Sequence, residues 1–379
     1  MPPSGPWPVR ALHGLRRAFG CFIGVFCAVL ATVPAAAGPL DGLLTALPER
    51  LAPLGYVELG SDHMNDALDV FRIRDRDPLT AGTKAGDYRG QYVGGSWRAT
   101  DHVWLSGGVG QRHVSDAADT YLYNSWHLAG QYRFLEAAGR RPALALRLSG
   151  WGNRAAATES NTPVTVPGAI LNTVKVTGPA DQQLQGDLIG TWTMSPALDV
   201  STLVSLGVSR LSYGALSATT TRNGCNYQLS FSGNDIFGNL IPPCAATGGI
   251  IQQFFDSSGD YGVDVANEIA WRGSFVQLGV NSAWRSGPWT LQGGYLFHAV
   301  QREAVDAILA ARGKAAHTQN HNITLEADYR FHPHVSVFSR AQFSSNLFFN
   351  DIPVTYNSST AARFGSKYSL FSVGLRAVF

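Results

Sequence analysis

Two short arrangements of aspartate, histidine and serine are the residues that could carry out nucleophilic chemistry. Asp62 precedes His63, and His113 lies two positions before Ser115. A serine hydroxyl becomes a nucleophile when a histidine accepts its proton and an acid orients that histidine. Such short combinations also arise by chance, and no recognisable motif surrounds these two. The sequence therefore keeps a hydrolase as an alternative and assigns no catalytic residue.

Four histidines form two pairs that could bind a metal ion. His317 and His321 lie at the start of one apolar stretch, whereas His332 and His334 lie at its other end. A single metal site cannot use both pairs, because an extended strand separates them. We expect no metal, and since the phosphate-binding glycine motifs are missing, we expect no nucleotide or other cofactor.

Two cysteines, Cys225 and Cys244, remain once the N-terminal apolar segment described below is removed. Two thiols in an oxidising compartment are expected to form one disulfide. The chain lacks the Cys-x-x-Cys spacing or further ligands that a zinc or redox site requires.

Ionisable residues recur at alternate positions of apolar stretches. In residues 319–331, Ile323 and Leu325 share one face, and Glu326 and Asp328 share the other, which indicates a β-strand. If the apolar faces of such strands contact lipid, the opposite faces line a lumen. The predicted lumen residues are Arg89, Arg112, Arg133, Arg147, Asp187, Asp264, Glu268, Glu326, Asp328, Arg330, Arg340 and Arg376. These charges could set a field across a water-filled pore, or they could pair and fill it.

The last twelve residues, Tyr368–Phe379, show the same alternation, with Arg376 on the face opposite the apolar one. The apolar face carries Phe371, Val373, Leu375 and Phe379. A final strand that ends in phenylalanine resembles the closing strand of Gram-negative outer-membrane β-barrels. The resemblance implies an all-β fold, a transmembrane antiparallel up-and-down barrel. It also implies that the apolar face is the signal read by the barrel-assembly machinery. Ala377 departs from the pattern, because many such proteins have an aromatic residue there.

The rest of the chain repeats a unit of strand, tight turn, strand and long polar connection. Strands are predicted at 54–64, 88–98, 102–113, 122–134, 143–154, 182–194, 198–213, 261–271, 274–285, 289–300, 319–331, 334–345 and 367–379. Tight turns are predicted at 99–101, 137–142, 195–197, 285–288 and 332–333. Because this gives an odd number of strands and bacterial barrels have even numbers, one is miscounted. Either 249–257 adds a strand, giving the favoured total of 14, or 261–285 is one bent strand and the total is 12.

The longest connection, residues 214–259, contains both remaining cysteines. It is long enough to fold into the lumen and constrict it, stiffened by the disulfide. It could equally lie on the surface, with the disulfide protecting it from proteolysis.

The N-terminus predicts export. Arg10, Arg16 and Arg17 precede an apolar run at 18–33, and the alanines at 35–37 offer a cleavage site, so residues 1–37 are predicted to be a secretory signal peptide. The run is shorter than the roughly 20 residues of a spanning helix. Its removal takes three arginines and no acid, so the formal charge changes from +2 to −1 and nucleic-acid binding gains no support. Residues 38–53 are then a periplasmic lead, or alternatively a short helix in the barrel mouth, because Leu40, Leu43, Leu44 and Leu47 have helical spacing; residues 54–379 form the barrel.

These features predict an outer-membrane barrel that works as a passive pore or channel for small solutes, with a mixed-charge lumen. Lipid and lipopolysaccharide would surround it. The alternatives are an outer-membrane hydrolase acting on lipid or peptide, and a structural or adhesive barrel that binds partners through its outer loops. No sequence pattern sets the oligomeric state.

Overall fold

The computed structural model describes residues 43–44, 54–64, 87–116, 119–161, 163–166, 168–244, 250–346, 352–365 and 367–379. The strands in chain order are β1 (Gly55–Met64), β2 (Asp87–Arg98), β3 (Val103–Asp116), β4 (Asp119–Leu135), β5 (Ala143–Arg154), β6 (Ala157–Ser160), β7 (Val164–Val166), β8 (Ala169–Thr177), β9 (Ala180–Ser195), β10 (Leu198–Ser212), β11 (Ala215–Arg222), β12 (Cys225–Ser232), β13 (Asp235–Ile241), β14 (Gln253–Ser257), β15 (Arg272–Ser286), β16 (Trp289–Arg302), β17 (Gln319–His332), β18 (Val335–Ser344) and β19 (Tyr368–Val378). The connections contain helices α1 (Val265–Ile269) and α2 (Val305–Ala311) and 3-10 turns at Ser258–Tyr261, Pro353–Thr355 and Ala361–Gly365.

Twelve strands form a closed antiparallel barrel in the order β1, β2, β3, β4, β5, β9, β10, β15, β16, β17, β18 and β19. The barrel closes where β19 pairs with β1, with Glu58 opposite Arg376. The alternation of the last strand sets its orientation, because Leu375 is 52% exposed on the outer face and Arg376 is 3% exposed inside. The all-β barrel predicted from the sequence is confirmed.

The barrel has twelve strands, the smaller of the two predicted numbers, because of residues 250–271. Residues 253–257 form β14, which pairs with β13 outside the barrel. Residues 258–269 then form a 3-10 turn and α1. Arg272 therefore begins β15, which crosses the wall once, and no turn occurs at residues 272–274.

A second antiparallel sheet, here called the outer sheet, is built from β6, β7, β8, β11, β12, β13 and β14. Its strands come from the long connections that follow β5 and β10. Tyr227, Leu229 and Ile236 are buried on one of its faces. A disulfide joins Cys225 to Cys244 within it, as predicted. The described part of 214–259 thus forms hairpins of this sheet.

The two ends of the barrel differ. The predicted tight turns all lie at one end, here called the tight-turn end, and the long connections lie at the other, the loop end. In outer-membrane barrels the tight turns are periplasmic. Exposed aromatic side chains gather near the tight-turn end, as expected for rings at a lipid–water boundary: Tyr132, Phe134, Trp284, Trp289, Tyr329 and Phe331. Among the described residues, no helix is both long and apolar enough to cross a membrane.

The predicted signal peptide, residues 1–37, lies outside the described residues. Of the predicted periplasmic lead, 38–53, only Leu43 and Leu44 are described; both are helical and buried.

Candidate functional site

The lumen near the tight-turn end contains a network of buried charges around Arg376. Its guanidinium lies 2.8 Å from a carboxylate oxygen of Glu58, 2.8 Å from Asp328 and 3.2 Å from Glu326. Arg340 donates to Glu326 from Nη2 at 2.7 Å. Three carboxylates thus share two guanidinium groups. Paired in this way, the charges avoid the free-energy penalty of isolated buried ions.

Two further ion pairs lie on the inner face of the wall between β5 and β15. Arg147 Nε lies 2.6 Å from Asp187 Oδ2, and both side chains are buried. Arg285 pairs with Asp199 near the tight-turn end. At these positions the inner face carries both signs of charge, and the opposite signs are in contact.

Most of the predicted lumen residues do lie on the inner face. Those whose side chains are buried or half-buried there are Arg112, Arg133, Arg147, Asp187, Glu326, Asp328, Arg340 and Arg376. Arg330 is on the same face of β17 as Asp328 but is exposed at the tight-turn end.

Three predicted lumen residues are placed elsewhere. Arg89 is exposed on the outer face, between His63 and His113 on the neighbouring strands, while Tyr88 and Gly90 are buried. The prediction put it on the wrong face because β2 is rich in glycine and gives little apolar alternation. Asp264 and Glu268 were predicted on a barrel strand, but they belong to the helical segment at the loop end.

The middle of the lumen is apolar over five neighbouring strands. Successive register partners there are Ala145, Ile189, Leu203, Gly279 and Leu296, which we call the apolar belt. Leu43, from the segment before β1, packs on this belt and is fully buried. Its carbonyl accepts a hydrogen bond from Asn281 Nδ2 at 3.3 Å. Leu43 therefore lies inside the barrel, packed against its inner wall.

Two glycines of the wall provide the space that Leu43 fills. A Cβ at Gly279 would lie 2.9 Å from Leu43 Cδ1, and one at Gly294 would lie 2.8 Å from Leu43 Cδ2. Either distance is too short for two carbon atoms, so any larger residue would have to displace the leucine. The wall and the N-terminal segment are complementary in shape.

The lumen is covered at the loop end by residues 352–365, here called the mouth segment. Ile352, Tyr356 and Phe364 are buried. Trp271 Nε1 donates to the carbonyl of Tyr356 at 2.9 Å, and the guanidinium of Arg302 lies 3.7 Å from the centre of the Tyr356 ring. The sequence predicted a polar loop at 346–366, yet its described part packs as a second core inside the barrel mouth.

An ion pair connects the two helices at the mouth. Glu268 of α1 is buried and accepts from Arg312, which follows α2, and from the hydroxyl of Ser358 in the mouth segment. The hydrogen bonds to Glu268 raise the pKa of Arg312. Bonds from Asn267 lower the pKa of Asp264, the residue before α1. Both groups therefore stay charged at neutral pH.

A cavity of about 990 Å³ lies between the outer sheet and the barrel mouth. The sheet contributes apolar side chains such as Val174, Leu229 and Phe254, and the mouth contributes Val265 and Phe364. The charged residues that line it are Arg222, Glu268, Arg312 and Lys314. Its volume is in the range of small-molecule sites.

The predicted hydrolytic residues do not assemble into a triad. Ser61 Oγ lies 2.8 Å from His63 Nε2, but Asp62 points to the opposite face of the strand and is buried inside. Alternation along a strand prevents adjacent residues from acting together. His113 is exposed on the outer face.

The two histidine pairs lie at opposite ends of the barrel. The ring of His321 contacts the hydroxyl of Tyr295 at 2.8 Å, whereas His332 and His334 lie at a tight turn. Across the described part of the chain, no three His, Cys, Asp or Glu side chains are grouped to hold a metal.

One of the two features missed by the sequence reasoning could have been recognised there. The mouth segment contains Ile352, Val354, Tyr356 and Phe364, an apolar content unusual for an exposed loop. The glycines that seat Leu43 carry no comparable signal, because glycines occur throughout the strands.

No protein-family model and no curated protein matches this sequence. Solved structures do resemble the fold. The translocator domain of the autotransporter NalP from Neisseria meningitidis is 11% identical, with a TM-score of 0.43 over 86% of this chain and 87% of that one. LpxR from Salmonella typhimurium is 10% identical, with a TM-score of 0.39 over 86% and 100%. The toluene transporter TodX from P. putida is 9% identical, with a TM-score of 0.35 over 88% and 92%.

All three TM-scores are below 0.5 and the proteins differ in what they are named for, so the fold is assigned from the strand pairing of this chain itself. The closed barrel, with apolar residues outside and polar residues inside, agrees with the predicted resemblance. The chain has the fold of an outer-membrane β-barrel protein, and its subfamily stays unassigned.

Proposed function

We propose that this protein is an outer-membrane channel for small solutes and that the described conformation is its closed state. The observation that carries the proposal is that the lumen is obstructed by inserted segments. Leu43 fills the middle, and the mouth segment fills the loop end. Neither belongs to a barrel strand, so either can move while the wall stays intact.

The size of the barrel supports this proposal. The side chains of an eight-stranded barrel fill its interior, whereas a barrel of twelve strands is wider and leaves a lumen. The inner wall is lined by ion pairs and amide side chains such as Gln185, Gln277 and Gln292. Polar groups of this kind are stable when water replaces an inserted segment, because water supplies the hydrogen bonds.

Conductance across planar bilayers tests the proposal. In the refolded full chain, Leu43→Asp places a charge against the apolar belt and should release the segment, so conductance steps should become more frequent than in the wild type. Leu43→Met keeps an apolar side chain of similar volume and should behave as the wild type does. If correctly folded Leu43→Asp protein gave no steps, the channel function would be wrong and the barrel fold would be unaffected.

We also propose that residues 1–37 are removed during export. The apolar face of β19, with Phe371, Val373, Leu375 and Phe379, would then direct assembly into a membrane of lipid and lipopolysaccharide. Mass spectrometry of the chain purified from outer membranes should show a mature N-terminus at Gly38. Deleting Phe379 should lower its amount there. A chain that retained residues 1–37 would contradict the first part, and an unchanged amount would contradict the second.

A further inference from the structure

The cavity under the outer sheet is bounded by two apolar surfaces that face each other without filling the space between them. On the sheet side, Leu171, Val174 and Phe254 line it; on the barrel side, Tyr123 and Val354 do so. Protein interiors are close-packed, with few voids larger than a water molecule. An apolar space of about 990 Å³ is therefore far beyond a packing defect and has the size of a ligand site.

The charges around this cavity are unbalanced. Among the described residues that line it, the one carboxylate is that of Glu268, which is buried and already bound to Arg312. Arg222 lies 5.4 Å from the centre of the Phe254 ring, and Lys314 also lines the cavity. Neither has a salt-bridge partner among the described residues, and both side chains belong to exposed residues. Two exposed cations with no salt-bridge partner among the described residues thus line the apolar cavity.

We propose that this cavity binds a small amphiphilic anion, with its apolar body between the outer sheet and the barrel mouth. Its anionic group would lie at the solvent side, where Arg222 and Lys314 both contribute positive charge. An apolar chain gains free energy by leaving water for the cavity. The anion keeps part of its hydration and gains a cation, so it avoids the penalty of a buried charge. A neutral molecule of the same shape gains only the free energy of burying its apolar chain. A cationic amphiphile would meet like charges.

Binding to the full chain in lipid nanodiscs tests this inference, with octanoate as the anionic probe and octanol as its neutral match. Titration calorimetry, with empty nanodiscs subtracted, should show saturable octanoate binding that is tighter than octanol binding. Lys314→Gln and Arg222→Gln should each weaken octanoate about threefold, as expected for exposed ion pairs, and leave octanol unchanged.

Val174→Trp fills part of the cavity and should weaken the binding of both probes. Lys175→Gln is the matched control, because Lys175 is the next residue of β8 on the opposite face, where it pairs with Glu159; it should bind as the wild type does. Leu171→Trp replaces Val174→Trp if that variant does not fold, as judged by heat-dependent gel mobility.

The inference is overturned if octanoate does not saturate the wild type, or if the filled variants bind it unchanged. It is also overturned if the two charge variants weaken octanol as much as octanoate. Because binding is measured without transport, a barrel that bound octanoate but never conducted would refute the channel and keep this site.

Discussion

The guanidinium of Arg376 lies 2.8 Å from the carboxylate of Glu58, and this contact joins the last strand of the barrel to the first. The same guanidinium also binds Asp328 of β17. One buried cation therefore compensates carboxylates from two sides of the closing strand.

Replacing Arg376 should destabilise the barrel strongly. Arg376→Met leaves Glu58 and Asp328 buried without their cation, and the loss of one partner from a buried ion pair typically costs about 3–5 kcal/mol. Urea unfolding of the refolded protein in lipid vesicles, followed by tryptophan fluorescence, should show a lower midpoint.

Arg330→Met is the control for this comparison. It removes an arginine from the same face as Asp328, but from an exposed position at the tight-turn end, so the midpoint should stay near that of the wild type. Equal midpoints for the two variants would show that the Arg376 network does not stabilise the closure.

The space beside Gly279 and Gly294 that Leu43 occupies, here called its seat, can be tested by placing a larger side chain there. With Cys225 and Cys244 joined in the disulfide, a mature Leu43→Cys protein has one free thiol, which should react slowly with a membrane-impermeant maleimide. Adding Gly279→Leu crowds the seat, and overpacking of about 1–3 kcal/mol should raise the labelling rate about tenfold.

Gly186→Leu provides the matched control, because nothing lies within 4 Å of a Cβ at that position. It should leave the labelling rate of Leu43→Cys unchanged. A rate that is already fast with Gly279 intact would mean that Leu43 does not occupy the lumen for most of the time.

The mouth segment should loosen in mild acid because of His317. Burial, assisted by the charge of Arg302, lowers the pKa of His317 below the ordinary histidine value of 6.5. A Cβ at Gly365 would lie 3.1 Å from its ring, so the imidazole packs against the mouth segment. The open form binds more protons than the closed form once the pH falls below 6.5. The stability of the closed mouth is therefore full above that pH and decreases as the pH falls toward the lowered pKa.

Hydrogen exchange of residues 352–365, corrected for intrinsic rates, should accordingly be faster at pH 5.5 than at pH 7.5. His317→Asn should reduce this difference, whereas His334→Asn, at the tight-turn end, should keep it. An identical pH effect in all three proteins would assign it to other groups.

The strands and their faces were predictable where apolar and polar residues alternate strictly, as Ile323 and Glu326 illustrate. Alternation reports which side of a wall a residue occupies, so Arg89 was misplaced where glycines interrupt the pattern. Glu268 was misplaced for another reason: an apolar stretch read as a strand can be a short helix when its partners lie elsewhere in the chain.

The places where inserted segments pack inside the barrel were beyond prediction from local pattern, although the spacing of Leu43 and Leu44 allowed a helix in the barrel mouth. The position of Leu43 depends on Gly279 and Gly294, more than 200 residues away, and the mouth segment depends on Trp271 and Arg302. Such contacts are set by tertiary packing and produce no repeating pattern of apolar residues in the sequence. The ion pair of Arg147 and Asp187 could not be predicted from local pattern either. It requires β5 to lie next to β9, although β6, β7 and β8 separate these strands in the sequence.

Leu43 also has a short covalent link to the wall. Nine residues separate Leu44 from Leu54, which precedes β1 at the tight-turn end. Even fully extended, such a link reaches only about 35 Å. Leu43 is therefore an intramolecular ligand whose effective concentration beside Gly279 and Gly294 is limited by the reach of this link and is on the order of millimolar. A free peptide of the same sequence would have to reach that concentration to compete, and after each release rebinding would not depend on the amount of protein in the membrane.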